Sequence, residues 1–232
     1  MNIQDAKVLI TGGSSGIGYA TAKLLKDNGA QVVICGRHDD TIQKAAKELG
    51  VSGFKADVKN ESDVKGLFEF TLKKLGGLNV VINNAGLGYF SPLAETSSED
   101  FKRIWEINVL GAFLVGREAA KHFIKENTGN IINISSSAGK RGFANGSAYV
   151  ASKFALSGLT ECWRAELRPH NVRVMQVNPS EVITDFSAKL GNTPSNTEHK
   201  LKPSEIAHVI HSMLTMNDVG FVTETSVWAT NP

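Results

Sequence analysis

Short apolar runs alternating with amphipathic stretches constrain this chain more than any other feature. Residues 7–10, 31–35, 54–58, 79–83, 131–134, 172–177 and 221–228 read as seven strands. Helical patterns lie between them. One follows Gly18 and stops at Asn28-Gly29. Others occupy 41–49 and 62–75, the second halted by Gly76-Gly77. A longer helix starts at the hydroxyl- and acid-rich stretch 96–100 and runs to about Glu126, with Asn108 interrupting it. A further helix carries Tyr149 and Lys153 to about Arg168, and the last spans 204–214. Strand and helix in strict alternation call for a single α/β domain over residues 1–232. It is a doubly wound parallel sheet of about seven strands with helices on both faces.

The first strand flows into Thr-Gly-Gly-Ser-Ser-Gly-Ile-Gly, residues 11–18. Gly12, Gly16 and Gly18 permit a tight turn and close approach of backbone to a ligand. Strand, glycine turn and helix together aim backbone N–H groups at a phosphate. The second strand ends in Gly36-Arg37, with no acid at positions 35–37. An acid there would bind the ribose hydroxyls of NAD. An arginine favours the 2′-phosphate of NADP(H) over NAD(H). Asp57, closing the third strand, faces an adenine edge or caps its turn. Asn84-Ala85-Gly86, after the fourth, is small enough for a ligand to lie across the strand ends.

Tyr149 and Lys153 stand four residues apart on one helix face, with Cβ atoms about 5–6 Å apart. The expectation is that the ammonium lowers the phenol from its ordinary pKa of about 10, making it a usable acid. Ser136, thirteen residues before Tyr149, offers a hydroxyl for the same substrate oxygen. Ser135 and Ser137 flank it, and the spacing selects Ser136. The polar stretch 184–203, with Gly191, Pro194 and Pro203, has the composition of a lid.

Five signals fall in one order: residues 11–18, Asn84-Ala85-Gly86, Asn108, Ser136 and Tyr149-x-x-x-Lys153. Together they resemble the short-chain dehydrogenase/reductase family, including its 3-oxoacyl-(acyl-carrier-protein) reductase-like members, along nearly the whole chain. The resemblance implies a Rossmann-type fold and roles for particular residues. Tyr149 is then the proton donor, Lys153 its partner and a ligand of the nicotinamide ribose, and Ser136 the residue orienting the substrate oxygen. Asn108 holds a water that links Lys153 to solvent. Gly12, Ser14, Gly16, Ile17 and Gly18 lie under the pyrophosphate. Asp57 and Val58 lie by the adenine, Asn84, Ala85 and Gly86 flank the adenosine, and Val182 and Thr184 hold the carboxamide. The family's glycines are replaced at Ser180 and Glu224. The resemblance also implies a homotetramer or homodimer.

The expected reaction is NADP(H)-dependent reduction of a small ketone or aldehyde. A 3-oxoacyl thioester is one candidate, with Lys140 and Arg141 meeting an acidic acyl carrier protein. A non-catalytic dinucleotide-binding regulator on the same fold is the alternative, and such a protein has no need of both Tyr149 and Lys153. A net charge of +2 without basic clusters argues against nucleic acid. No apolar run approaches a membrane span, and the N-terminal residues lack a leader pattern. Cys35 and Cys162 have no metal-like spacing and read as two buried thiols of a cytoplasmic protein with no metal.

Overall fold

The computed structural model describes residues 1–184 and 197–231. Seven strands form one sheet: β1 (Lys7–Thr11), β2 (Gln31–Gly36), β3 (Ser52–Lys55), β4 (Val80–Asn83), β5 (Gly129–Ile134), β6 (Val172–Pro179) and β7 (Glu224–Val227). Their order is β3-β2-β1-β4-β5-β6-β7, and every pairing is parallel. The helices are α1 (Gly16–Asp27), α2 (Asp39–Leu49), α3 (Glu61–Leu75), α4 (Ser98–Trp105), α5 (Ala112–Glu126), α6 (Ser147–Leu167) and α7 (Pro203–Thr215). The segment 184–203 lies mostly outside the described residues.

Alternation along the strands splits the apolar side chains between two cores. Val8 and Ile10 of β1 face one side, where Leu25 of α1, Ile42 of α2 and Ile210 of α7 cover them. Leu9 faces the other, under Leu67 of α3, Phe123 of α5 and Trp163 of α6. Full burial of each such side chain contributes about 1.5–3 kcal/mol.

Two strands differ most from expectation, the others by one or two residues at an end. β3 is Ser52–Lys55 rather than 54–58. Its register is set by β2, with Val33 beside Ser52 and Gly36 beside Lys55. Ala56 and Val58 are buried as the pattern suggests, but in the turn that follows. β7 is only Glu224–Val227, because it runs as far as its partner residues 176–179 of β6.

Candidate active site

Chain order reverses between β1 and β4, where β2 and β3 lie to one side and β5 to β7 to the other. In open α/β sheets, ligands bind at the carboxyl ends of strands at such a switch point. A cavity of about 890 Å³ opens there. That size suits a ligand larger than a simple metabolite.

The glycine turn forms its floor. Gly12 has φ +66° and Gly16 φ +56°, a region that favours glycine. A Cβ at Gly12 would stand 2.9 Å from Ala85 Cα, and one at Gly16 3.2 Å from Thr184 Cγ2. Gly12, Ser14, Gly16 and Ile17 all line the cavity. Ser15 begins α1 without a side-chain cap, which leaves the first-turn N–H groups for a ligand. Thr11 Oγ1 accepts from the N–H groups of Asn84 and Ala85 at 3.0 Å. Asn84 Nδ2 donates to the Thr11 and Gly12 carbonyls at 3.0 Å.

Gly18 is not in the cavity wall. A Cβ there would overlap the Gly12 carbonyl oxygen and stand 2.5 Å from Asn84 Nδ2. Its work is packing beneath the turn. Gly13, which the sequence reading did not single out, is constrained as tightly: a Cβ would lie 2.5 Å from Ile34 Cβ. We expect Gly18→Ala to destabilise the fold by about 1–3 kcal/mol. It should also weaken dinucleotide binding, both read from urea unfolding with and without ligand. Unchanged stability would contradict the packing role.

Arg37, at the end of β2, is exposed and lines the cavity, with no ion pair among the described residues. The acids at Asp39 and Asp40 therefore do not quench it. Asp57 both lines the cavity and accepts from Lys59 N–H at 3.3 Å, so the two readings of it coexist. Val58 lines the cavity and packs on Gly111, where a Cβ would stand 2.7 Å from Val58 Cγ2. Ala85, Gly86 and Val182 also line it. Cys35, His38 and Thr41 join the same wall, unmarked by any motif. Burial pushes the Cys35 thiol up to about 12, so it is inert. Cys162 is exposed, contrary to the expectation of two buried thiols, because it falls on the outer face of α6.

Ser136, Tyr149 and Lys153 converge on the other half of the cavity. The four-residue spacing on α6 places Lys153 Nζ 5.8 Å from the Tyr149 ring centroid. Ser136, two residues past β5, caps a short 3-10 turn, its Oγ accepting from Ala138 N–H at 3.1 Å. It also hydrogen-bonds the Tyr149 hydroxyl. Ser135 Oγ instead donates to the Lys153 carbonyl at 3.4 Å. A hydrogen bond thus holds Ser136 beside the phenol, while Ser135 turns to the backbone of α6.

The expected electrostatics need correction. Burial pushes the Tyr149 phenol up to about 12, against the lowering effect of Ser136. Burial also brings the Lys153 ammonium down to about 8. Both side chains are under a tenth exposed, and Lys153 Nζ donates to the Ile134 carbonyl at 2.9 Å. Desolvation, the largest cause at both groups, therefore sets the direction of both shifts.

Asn108 is buried within a π-helical segment, Glu106–Gly111, between α4 and α5. Such segments often sit at functional sites. Asn108 Oδ1 accepts from Leu87 N–H at 2.7 Å. Its Nδ2 donates to the Leu87 carbonyl at 2.9 Å and to Ser152 Oγ at 3.0 Å. It staples the loop after β4 to α6, beside the Tyr149–Lys153 turn, and does not itself line the cavity.

Aromatic side chains wall the mouth: Phe90 stands edge-on to Tyr149 at 5.5 Å and to Phe143 at 5.6 Å. Glu181 pairs with Lys200 at 2.6 Å, and both line the cavity with Ser180. Glu224 is the hub of β7. Its Oε1 accepts from Asn178 at 2.6 Å, from Gln176 at 3.1 Å and from Lys140 at 2.5 Å. Burial opposes its charge, but these donors hold the carboxyl below its ordinary value.

A doubly wound sheet with this cavity at its switch point is the frame of a dinucleotide-binding oxidoreductase. The short chain dehydrogenase family profile matches residues 6–195. The chain belongs to that family. It is 33% identical to an NADP-dependent 3-hydroxy acid dehydrogenase of Schizosaccharomyces pombe, across 98% of this chain and 94% of that protein. Among solved structures, an alcohol dehydrogenase of Thermococcus sibiricus, complexed with 5-hydroxy-NADP, superposes with TM-score 0.88 at 30% identity, covering 97% of each chain. A 3-ketoacyl-(acyl-carrier-protein) reductase of Brucella melitensis, complexed with NADH, superposes with TM-score 0.90 at 28% identity, again covering 97% of each.

Proposed function

We propose that this oxidoreductase uses NADP(H) to reduce a ketone or aldehyde to an alcohol. The observation that carries the reading is the convergence of Ser136, Tyr149 and Lys153 in one cavity with the glycine turn. A cradle at Gly12 and Gly16 that a Cβ would fill fits a dinucleotide's phosphates. When bound, the dihydronicotinamide supplies hydride to the carbonyl carbon. Ser136 and Tyr149 hydrogen-bond the carbonyl oxygen where negative charge develops. Tyr149, held neutral by burial, carries the proton that this oxygen takes. Lys153 steadies the phenolate left behind and binds the ribose. Val182 and Thr184 would hold the carboxamide, and Asn108 would hold a water linking Lys153 to solvent.

Relatives bind both cofactor types, so the NADP(H) assignment rests on Arg37. We expect Arg37→Ala to lower the NADPH/NADH ratio of kcat/KM by roughly tenfold, the value of one lost charge-assisted contact of about 1.4 kcal/mol. An unchanged ratio removes the assignment. The reaction itself is tested by following NADPH oxidation across a panel of ketones and aldehydes, and no turnover with any of them would leave only a binding protein.

Exposed Phe101, Trp105, Leu110, Phe113 and Phe154 on the outer helices favour a homodimer or homotetramer. No helix among the described residues is long and apolar enough to cross a membrane. We place the protein in the cytoplasm. An acyl carrier protein is the weaker substrate carrier, because Lys140 is already paired with Glu224.

A further inference from the structure

A second hollow of about 420 Å³ adjoins the reacting half of the cavity. Ser137, Ala138 and Phe143 line both spaces, and Arg141 and Gly142 complete the smaller one. Lys140, next to Arg141 in the chain, and Lys200 of the main cavity are both paired. Glu181 holds Lys200, and Glu224 holds Lys140. Arg141 is the exception: it has no ion pair or hydrogen bond among the described residues. Its guanidinium lies 5.1 Å from the Trp228 ring centroid, a stacking that limits its motion without neutralising it. The smaller hollow thus presents a planar cation, five residues along the Ser136–Phe143 loop from the hydroxyl proposed to hold the carbonyl. Phe143, in edge contact with Phe90, lines both spaces and supplies an apolar wall where they meet.

Resting on the reductase reading, we propose that Arg141 is a specificity residue and that the substrate is an oxo acid. Its carboxylate binds the Arg141 guanidinium while its ketone lies at Ser136 and Tyr149. A guanidinium offers a two-pronged fit to a carboxylate that a lysine does not. The C-terminal strand and the residue after it set this arrangement: Glu224 withdraws Lys140, and Trp228 holds Arg141. The relation to a 3-hydroxy acid dehydrogenase agrees with it.

The test compares 3-oxobutanoate, 4-oxopentanoate and 5-oxohexanoate with their methyl esters, in wild type and Arg141→Gln. Wild type should prefer the best acid over its ester by at least about tenfold in kcat/KM, through KM. Arg141→Gln should abolish that preference with kcat kept within about twofold, and Arg141→Lys should restore part of it. An acid-to-ester ratio that is the same in wild type and Arg141→Gln overturns the proposal. So does an acyl-carrier-bound thioester that is preferred to every free acid and alone loses rate on the substitution, which points to the carrier protein instead. Calorimetric titration with 4-oxopentanoate separates the two readings. If nothing is reduced, the reductase reading falls. Binding by wild type that Arg141→Gln loses still supports the anion site, and no binding overturns it.

Discussion

Replacing Tyr149 by Phe should lower kcat by about 10²–10⁴-fold, the range for losing a positioned general acid. The phenyl ring keeps its edge contact with Phe90, so the mouth keeps its shape. Dinucleotide affinity should change less than threefold, since the glycine turn and Arg37 lie at the far end of the cavity. The hydroxyl's loss also leaves Ser136 Oγ with only Ala138 N–H as partner among the described residues. A single-turnover assay with NADPH and a model ketone measures the first effect, and fluorescence titration with NADPH the second. Equal turnover in both proteins contradicts the role given to Tyr149. Unaltered binding with no turnover in wild type favours a regulator.

Lys153→Met should abolish most activity and yet stabilise the fold near neutral pH. Burial brings the ammonium from 10.5 to about 8, which corresponds to roughly 3 kcal/mol against the charged form in the native state. Below pH 8 both native and unfolded chains carry the proton, and the native state bears this cost in full. Between pH 8 and 10.5 the unfolded chain binds the proton and the native chain does not, so wild-type stability rises with pH. Methionine removes the cost and the slope. It also leaves the Ile134 carbonyl without its donor, which offsets about 1 kcal/mol. Urea unfolding should therefore show the variant ahead by about 1–3 kcal/mol at pH 7, with the gap closing by pH 10. A variant less stable at pH 7, or a gap independent of pH, contradicts the account. Above pH 10 both proteins should weaken, because the Tyr149 phenol, raised to about 12, keeps its proton when the unfolded chain loses it.

Local spacing made much of this site readable in the chain. Tyr149 and Lys153 share a turn of α6, and Gly12 and Gly16 need backbone freedom that their own φ values display. Parallel strands and two-sided packing followed from alternation, because the central apolar runs are covered on both faces. What escaped depends on distant partners. β3 took its ends from the β2 register and not from its own propensity. The sign of the Tyr149 shift follows from depth of burial, a property of the whole fold. Asn108's partners Leu87 and Ser152 lie 21 and 44 residues away. Glu224, in place of a glycine, gathers Lys140 from the other side of the sequence to close the loop after Ser136.

Hydride and proton must meet at one carbonyl for this account to hold. Reduction of a ketone with 4,4-dideuterated NADPH, followed by mass spectrometry of the alcohol, reports that event. Wild type should place one deuterium on the carbinol carbon, and Tyr149→Phe should yield almost no labelled alcohol in the same interval. Label appearing equally fast in both proteins, or in neither with any carbonyl offered, would contradict it.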